Sequence, residues 1–230
     1  MPRPYVLVNV AMSADGKLDT VARRGTSISS TADKARVDRL RAGVDAVLVG
    51  GRTLLEEDPK LTVKSALMRS ERTAAGLEEN PAKVGIVSQA NLDLAGSFFT
   101  AGPAQRLIYT TRLTSSEQVT RLEKAGAKVF VLGDSRVDLT AVLTSLYEQG
   151  ILRVLVEGGG SIIAEFFHLG LVDELMIYIA PRIFGGATAP TLADGPGFPA
   201  DQAPLLHLQT ADEFDEDGGV FLHYLVEHPE

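Results

Sequence analysis

Three consecutive glycines, Gly158–Gly160, separate an apolar run from a helical pattern in the segment LVEGGGSIIAEFF, residues 155–167. The apolar run predicts a strand that ends at Val156, and Ser161 is expected to begin the helix. Free backbone N–H groups in the first turn of a helix attract anions, and glycine lets phosphate oxygens approach them closely. The pattern therefore favours a phosphate-binding turn. The alternative is a tight turn that needs glycine only for positive φ.

Two polar side chains stand at points where the pattern is otherwise apolar. Glu157 directly follows the predicted buried strand, where a carboxylate can accept hydrogen bonds or hold a substrate proton. Asn9 interrupts the apolar strand pattern YVLVNV, residues 5–10, and a buried amide needs hydrogen-bond partners. Both residues are therefore candidates for a reactive site.

A second junction of strand, glycine and helix occurs in the segment DAVLVGGRTLLEEDPKLTV. Val47–Val49 end a strand, Gly50–Gly51 form the turn, and Thr53 can cap a short helix. Pro59 is expected to exclude Asp58 from the helical region. Because the carboxyl ends of parallel strands meet at one edge of a sheet, two such junctions indicate a shared crevice. A dinucleotide, with phosphates at more than one place, would use both junctions.

Charged residues cluster near this second junction. Arg36, Arg39 and Arg41 give the strongest local group of positive charges. The residues alone favour the solvent-exposed face of a helix, and the functional alternative is that Arg41 meets an anionic substrate group. Glu56, in the acidic run before the proline, is interpreted as part of a solvated helix end. The four histidines lack metal-ligand spacing, which argues against a metal site.

The elements that must position these residues follow an α/β pattern, because runs rich in β-branched residues alternate with helical segments. The predicted strands cover residues 5–10, 45–50, 83–88, 106–111, 127–133, 152–158 and 174–180. Helices are predicted within residues 29–43, 115–126 and 138–150. Two antiparallel strands are expected in APLLHLQTADEF and GGVFLHYLVEH, so the sheet is predicted to be mixed. Residues 64–82 and 185–203 are expected to be loops.

Two of the helices have a predicted inner face. The first is the helix within residues 29–43, which Ser30 or Thr31 is expected to cap. The second is the helix that is expected to begin at Ser161, after the three glycines. The residues predicted to face inward are Ala35, Val37 and Leu40 in the first helix and Ile162, Phe166 and Leu169 in the second.

Composition limits the classes of function. The 230 residues suit one compact domain over residues 1–230, with 45% hydrophobic and 23% charged residues. A net charge of −8 argues against a nucleic-acid partner, because such binding rests on Lys and Arg. The absence of cysteine excludes thiol chemistry and fits a cytoplasmic location. The apolar stretch Tyr5–Met12 is too short for a signal peptide or a membrane span.

Four linked motifs resemble the pyrimidine reductases of riboflavin biosynthesis. They are NVAMSADGK, LRAGVDAVLVGGRTLLEEDPKLTV, VEGGGSIIAEFFHLGLVDELMIYIAPRIFGG and LADGPG, in the same order between about Tyr5 and Gly197. The resemblance implies a dihydrofolate-reductase-like fold, with a mixed central sheet flanked by helices, and a homodimer. It also implies NADPH-dependent reduction of 2,5-diamino-6-ribosylamino-4(3H)-pyrimidinone 5′-phosphate or its deaminated analogue, in which the ribosyl group becomes ribityl.

The same resemblance assigns site residues. The implied cofactor contacts are Ala11, Ser27, Thr53, Glu57, Ser88, Gly158, Gly159, Gly160, Ser161 and Ile162. The implied substrate contacts are Asn9, Gly25, Arg41, Leu61, Lys64 and Glu157, with Arg41 and Lys64 suited to the 5′-phosphate. Asp15 matches the S-x-D-G motif and joins Glu157 and Asn9 as a candidate catalytic residue, with bracing of the site as its expected role. Glu57 stands where relatives usually carry Asp.

Two other functions remain open at this point. The chain carries no zinc deaminase signature, so reduction alone is expected of it. A paralogue with the same fold could reduce a folate-like or pterin-like substrate, since fold does not determine function. A catalytically silent nucleotide-binding protein is the second alternative. The resemblance favours NADPH, whereas the sequence itself contains no pattern that separates NADPH from NADH.

Overall fold

The computed structural model describes residues 2–213 and 215–228, which divide into two compact units. The central unit, named for its place in the chain, comprises Met1–Pro4 and Asp38–Leu155. The terminal unit comprises Tyr5–Val37 and Val156–Glu230. The prediction of one reductase domain over residues 1–230 stays a prediction.

The described residues form nine strands, six α-helices and one π-helical turn. The strands are β1 (Tyr5–Ser13), β2 (Ala46–Gly50), β3 (Ala82–Ile86), β4 (Arg106–Thr110), β5 (Ala127–Val131), β6 (Arg153–Val156), β7 (Glu174–Ala180), β8 (Leu206–Glu213) and β9 (Val220–Val226). The helices are α1 (Thr31–Ala42), α2 (Ala66–Ala74), α3 (Ser97–Thr100), α4 (Ser116–Lys124), α5 (Leu139–Glu148) and α6 (Gly160–His168), and the π-helical turn is Thr53–Glu57. All the predicted strands are present.

The sheet of the central unit is parallel. Strands β5, β4, β3 and β2 pair side by side in that order, and every residue of β2 and β3 is buried. Burial on both faces explains the continuous apolar runs from which these strands were predicted. Lys83 of β3 is also buried, but it is the one polar side chain in these two strands. Its amine donates to the carbonyl oxygens of Phe98 at 3.0 Å and Ala101 at 2.5 Å. Burial, with a contribution from the charge of Arg106, lowers the pKa of Lys83 to about 8.

The sheet of the terminal unit is mixed. Strand β1 runs parallel to β7, while β7 pairs antiparallel with β9 and β9 pairs antiparallel with β8. This confirms the predicted α/β class, the mixed pairing and the carboxyl-terminal antiparallel strands. Phe214, in the predicted acidic turn between β8 and β9, lies outside the described residues.

One of the two predicted loops contains a helix. Within residues 64–82, α2 begins after Ser65, whose hydroxyl accepts from the backbone N–H of Met68. Arg72 of this helix is buried, and its guanidinium donates to the carbonyl oxygens of Ala42 and Val44 at 2.8 and 2.9 Å. This helix is held by hydrogen bonds from a buried arginine. Its sequence therefore lacks the apolar periodicity from which a helix would have been predicted. Residues 185–203 contain neither helix nor strand among the described residues, as predicted.

The inner face of α1 differs from the predicted one. Ser30 caps the helix, since its hydroxyl accepts from the backbone N–H of Asp33 at 3.1 Å. Asp33 and Arg36 are buried, whereas Ala35 is exposed. The prediction that Ala35 faces inward is therefore wrong. Hydrogen bonding between charged groups, and not apolar packing, decides which face of α1 is inside.

Helix α6 begins one residue earlier than predicted. Its N-cap is Gly159, and its buried residues include Ile163, Phe166 and Phe167. Leu169 follows the end of the helix and is 46% exposed. Of the three residues predicted to share the inner face, only Phe166 is fully buried there.

Candidate functional site

The three glycines differ in their backbone requirements. Gly158 has a φ of 126°, which L-residues with a side chain rarely adopt. A Cβ on Gly160 would lie 2.2 Å from the carbonyl oxygen of Thr191, so close packing excludes a side chain there. Gly159 has a φ of −77° and a ψ of −178°, which any residue can adopt. Local geometry thus accounts for two of the glycines, and the ligand interpretation depends on Gly159.

The loop that contains the LADGPG motif supports this turn. The side chain of Asp194 accepts from the backbone N–H and the hydroxyl of Thr191, both at 2.8 Å. The backbone N–H of Asp194 donates to the carbonyl oxygen of Gly160 at 3.2 Å. These bonds hold residues 191–194 against the start of α6, a role that the sequence motif did not reveal.

The start of α6 has the donor set that an anion requires. Gly159 provides no side-chain cap, and its carbonyl oxygen accepts from the N–H of Ile162 at 3.1 Å, so the N–H groups of Gly160 and Ser161 are the ones that depend on water or a ligand for acceptors. A Cβ at Gly158 would meet no atom within 4 Å, so this turn borders open space. Backbone N–H groups and the positive end of the helix dipole fit phosphate oxygens. The predicted contacts from Gly158 to Ile162 therefore lie on one turn.

Asn9 of β1 is 6% exposed and is held by an ion pair from α1. Its Oδ1 accepts from Nη2 of Arg36 at 2.7 Å. The same guanidinium donates to Oδ1 of Asp33, from Nε at 2.9 Å and from Nη2 at 2.7 Å. Placing Arg36 on a solvent-exposed face was therefore wrong. Opposite charges three residues apart on a helix, together with a strand amide in need of a partner, were the available signals.

Asp15 braces the turn after β1 against the segment that follows β7. Its carboxylate accepts from the hydroxyl of Ser13 at 2.6 Å and from the backbone N–H groups of Phe184 at 3.1 Å and Gly185 at 2.7 Å. The hydrogen bond from Ser13 and those from the two backbone groups lower the pKa of Asp15 to about 2. A carboxylate that stays ionised suits the expected bracing role, and the catalytic assignment of Asp15 stays a prediction.

We expect Asp15→Asn to lower the free energy of unfolding at pH 7. The folded-state pKa of Asp15, about 2, lies below its ordinary value of 3.8, so its stabilisation is present above pH 3.8 and is lost as the pH falls towards 2. Urea unfolding of both proteins at pH 7 and at about pH 2.5 should therefore show a smaller difference in acid. The matched control is Asp134→Asn, because the side chain of Asp134 is 86% exposed. A difference that is independent of pH would contradict the expectation.

The loop before α1 carries two further predicted contacts. Gly25 and Ser27 are exposed, and Asp19 holds the loop by accepting from the backbone N–H groups of Gly25 at 2.8 Å and Thr26 at 3.2 Å. Burial alone would raise the pKa of Asp19, but the hydrogen bonds from Thr26, Thr20 and Gly25 outweigh it and lower the pKa. The sequence analysis did not identify Asp19, because its carboxylate oxygens accept from backbone N–H groups six and seven residues away.

Ala11 is part of an apolar cluster in the same unit. It packs against Ile28, Tyr178 and Ala180, with Phe184 on the same cluster. Any cofactor contact at Ala11 would thus be formed beside packed apolar side chains. The assignment of Ala11 stays a prediction.

In the central unit, Lys64 is presented by a tightly held backbone segment, Leu61–Ser65. The carboxylate of Asp38 accepts from the backbone N–H groups of Lys64 at 2.5 Å and Ser65 at 2.8 Å. Nη1 of Arg41 donates to the carbonyl oxygen of Thr62 at 3.1 Å. The structure thereby brings Arg41 to the segment that carries Lys64, whose side chain is exposed. A lysine on an ordered segment and an arginine of α1 that contacts the same segment suit a phosphate group.

Leu61 belongs to the same segment but differs from Lys64 in its surroundings. Its side chain is 1% exposed, and its φ is 50°, in the left-handed region. Neither the side chain nor the backbone of Leu61 therefore presents appreciable surface to a ligand in this structure. The role of Leu61 as a substrate contact stays a prediction.

The π-helical turn holds the other predicted cofactor contacts of this unit. Thr53 is 9% exposed and lies inside the turn, whose N-cap is Arg52, so the prediction that Thr53 caps a helix is wrong. Glu56 is exposed as predicted, and Glu57 is exposed as well. The turn ends at Asp58, which lies in the left-handed region with a φ of 45°. The helix thus stops before the proline, as predicted.

Asp58 also joins this turn to α3. Its carboxylate accepts from the backbone N–H groups of Ser97 at 2.5 Å and Phe98 at 2.9 Å. Ser88 lies beyond the end of β3 and is exposed, and its carbonyl oxygen accepts from the hydroxyls of Thr110 at 3.3 Å and Thr111 at 2.6 Å. Asp58 and these two threonines therefore fix predicted cofactor segments, and no sequence motif had indicated them.

The two strand–glycine–helix junctions lie in different units, and the shared crevice stays a prediction. Within the part of the chain that the structure describes, no group of three or more His, Asp or Glu side chains is arranged to hold a metal ion. Among the same residues, no helix has the length and apolar character that crossing a membrane requires.

Comparison with known proteins identifies the family. Residues 4–218 match the model of the RibD C-terminal domain. The chain belongs to this family. It is 42% identical over 196 residues to the 2,5-diamino-6-ribosylamino-4(3H)-pyrimidinone 5′-phosphate reductase of Archaeoglobus fulgidus, covering 85% of this chain and 89% of that protein. The reductase of the same name from Methanothermobacter thermautotrophicus is 36% identical over 224 residues, covering 97% and 99%.

A solved structure shows the fold of this RibD C-terminal domain protein. The pyrimidine reductase-like protein of Corynebacterium diphtheriae is 22% identical, with a TM-score of 0.84, and the match covers 98% of this chain and 93% of that one. The resemblance drawn from the four motifs is confirmed by these matches.

Proposed function

We propose that this chain is the reductase of riboflavin biosynthesis that converts the ribosyl group of a ribosylaminopyrimidine 5′-phosphate to ribityl, with NADPH as the reductant. The observation that carries the proposal is the 42% identity to a reductase of that name over 85% of the chain. The same name belongs to a relative that covers 97% of the chain. Proteins this similar over their whole length commonly share a reaction, whereas a likeness of fold alone would not suffice.

The proposed reaction balances simply. One hydride is added to C1′ of the sugar, one proton reaches O4′, and the C1′–O4′ bond breaks, which leaves the open ribityl chain. The bound nicotinamide supplies the hydride. The protein has to orient the sugar against the nicotinamide, keep water away and manage one proton.

The cofactor proposal rests on the turn before α6. Its N–H groups, with Gly159 as the glycine whose φ and ψ any residue can adopt, fit a phosphate of the dinucleotide. Thr53, Glu57 and Ser88 are proposed as further contacts on ordered segments of the central unit. The choice of NADPH over NADH follows the family resemblance and is tested with both nucleotides.

The substrate proposal assigns the 5′-phosphate to Arg41 and Lys64. Asp38 fixes the backbone of Lys64, so the amine is presented by an ordered segment and binding loses less conformational entropy. Glu157, half-buried at the end of β6, is proposed to hold the proton that the reaction consumes. Asn9 is proposed as a hydrogen-bond partner of the substrate.

Lys64→Ala is expected to raise KM for the substrate by about 10- to 100-fold, because a charge-assisted hydrogen bond to phosphate is lost. The turnover number should change much less, since the phosphate is remote from C1′. The matched control is Lys60→Ala, which removes another exposed lysine four positions earlier. Steady-state kinetics with the phosphorylated and the dephosphorylated substrate would show whether the effect of Lys64→Ala depends on the phosphate. An unchanged KM would contradict the assignment.

The decisive experiment measures turnover directly. The purified chain is mixed with each pyrimidine substrate, amino and deaminated, and with NADPH or NADH, and loss of reduced nucleotide is followed alongside mass spectrometry of the product. Formation of the ribityl compound supports the proposal. Oxidation of NADPH with dihydrofolate, and with neither pyrimidine, would replace it with the paralogue alternative.

A homodimer and a cytoplasmic location are part of the proposal. Strand β8 ends the strand order of its sheet, and Leu206 and Leu208 on this strand are 39% and 53% exposed. An edge strand with exposed apolar side chains supports association with a second copy. Sedimentation equilibrium at micromolar concentration tests the dimer, and a monomer would contradict it.

A further inference from the structure

The terminal unit contains a buried cluster of two charged side chains and one amide. Arg36 lies between Asp33 and Asn9, and the ring of Phe221 covers its guanidinium at 4.5 Å. Asp33 has no exposed surface, and Arg36 and Asn9 are 7% and 6% exposed. The guanidinium thus contacts groups from three elements, α1, β1 and β9.

The cluster leaves hydrogen-bonding capacity unused. Nη1 of Arg36 and Oδ2 of Asp33 are buried and have no partner among the described residues. No described protein group replaces the hydration of these two atoms, and a buried ion pair adds little net stability because the desolvation of its charges offsets their attraction. Stability therefore gives a poor account of these two charges. Their effect on Asn9 gives a better one.

The guanidinium determines which way the carboxamide of Asn9 faces. Arginine has only donors, so the atom of Asn9 that lies 2.7 Å from Nη2 must be the acceptor, Oδ1. The opposite branch of the carboxamide is then Nδ2, which only donates. Without Arg36 the two branches could exchange by rotation, and Asn9 could offer either a donor or an acceptor.

We propose that Arg36, held by Asp33, is a positioning residue that fixes Asn9 as a hydrogen-bond donor towards an acceptor atom of the substrate. The proposal rests on the proposed function, because the ligand is taken to be the ribosylaminopyrimidine phosphate. It adds a rule of specificity. The substrate atom that meets Asn9 is an oxygen or an unprotonated nitrogen, and an amino group at that point is rejected because two donors would face each other.

Asn9→Asp tests the donor. Aspartate keeps an acceptor for Arg36 and replaces the outward donor with a second acceptor of the same size. We expect kcat/KM to fall by about 100-fold, as when a buried acceptor on the ligand loses its donor. The melting temperature is expected to fall, because two buried carboxylates then share one guanidinium, so kcat/KM is compared at a temperature at which the variant is folded. Wild-type kcat/KM in this variant would overturn the proposal.

Arg36→Met tests whether arginine acts through Asn9. We expect this change to lower kcat/KM about tenfold in the wild-type background and by less than about twofold in Asn9→Ala, as expected of two contacting residues that act as one unit. An equal loss in both backgrounds would overturn the proposal. Arg39→Met is the control, because Arg39 lies on the same helix and is exposed, and it should leave kcat/KM unchanged.

The double variant Asp33→Leu/Arg36→Met distinguishes a role of the ion pair in stability from its role in positioning Asn9. Replacement of a buried ion pair by apolar side chains of similar volume commonly leaves stability unchanged or raises it. We expect an equal or higher melting temperature together with the reduced kcat/KM. Full activity in this variant would overturn the positioning role.

Failure of the proposed function is distinguished by a readout that needs no substrate. In NMR spectra of the wild-type protein, the guanidinium N–H protons of Arg36 should exchange with water more slowly than those of Arg39, and Asn9→Ala should accelerate that exchange. Exchange as fast as that of Arg39 in the wild type would overturn the inferred arrangement. Slow exchange in a protein that reduces neither pyrimidine would instead refute the proposed function and the substrate rule that rests on it.

Discussion

Glu157→Gln is expected to lower the turnover number by about 10²- to 10³-fold, the usual contribution of a positioned proton-transfer group. Glutamine has the same shape and still accepts a hydrogen bond through its oxygen, but it cannot take up or release a proton. Glu157 directly follows β6 and precedes the turn that is proposed to bind the cofactor. The substitution should therefore affect chemistry far more than binding.

The measurement pairs single-turnover kinetics with NADPH titration. The rate of hydride transfer at saturating substrate should fall, while the dissociation constant for NADPH should stay within about threefold, since no charged contact to the nucleotide is removed. Glu56→Gln is the matched control, because Glu56 is an exposed carboxylate in the π-helical turn. A Glu157→Gln enzyme with the wild-type rate would remove Glu157 from the proton-transfer role.

Strand positions were predictable because burial leaves a direct mark on the sequence. Strand β7 spans Glu174–Ala180 as predicted, and β2 and β3 lie within one or two residues of their predicted ends. Each is an apolar run bounded by polar residues or glycine, as expected of strands that are covered on both faces. The motifs placed Glu157 and the glycines on a strand end and a helix start for the same reason.

The long-range hydrogen-bond partners of the polar side chains were not predictable, because these partners are distant in sequence. Asn9 and Arg36 are 27 residues apart, and Asp15 and Gly185 are 170 residues apart. A helical pattern read for apolar periodicity assigns Arg36 to solvent, and only the strand amide that it contacts explains its burial. Long-range hydrogen bonds leave no local periodicity from which they could be inferred.

Four aspartates, two in each unit, have the same structural role. Asp15, Asp19, Asp38 and Asp58 each accept from the backbone N–H groups of a loop or a helix start. Carboxylates suit this purpose because both oxygens accept and the negative charge strengthens the bond. The loops that carry the proposed ligand contacts are therefore ordered by side chains that need not touch a ligand, and motif similarity would not separate the two roles.

Gly159→Val is expected to weaken NADPH binding by about 100-fold or more, which corresponds to the loss of two or three backbone hydrogen bonds to phosphate. A valine side chain at the N-cap of α6 would stand where the phosphate has to approach the N–H groups. The other two glycines have local reasons for lacking a side chain, so Gly159 is the position at which ligand approach is tested most directly. Isothermal titration with NADPH gives the affinity.

Two further variants separate binding from folding. Gly160→Ala is expected to lower the melting temperature of the ligand-free protein, because its Cβ would lie 2.2 Å from the carbonyl oxygen of Thr191. Gly43→Ala is expected to preserve both stability and affinity, since its Cβ would meet the nearest atoms, the carbonyl oxygens of Arg39 and Leu40, at an ordinary 3.6 Å. If Gly159→Val bound NADPH like the wild type, the turn would be a structural junction alone, and the cofactor phosphates would have to be held elsewhere.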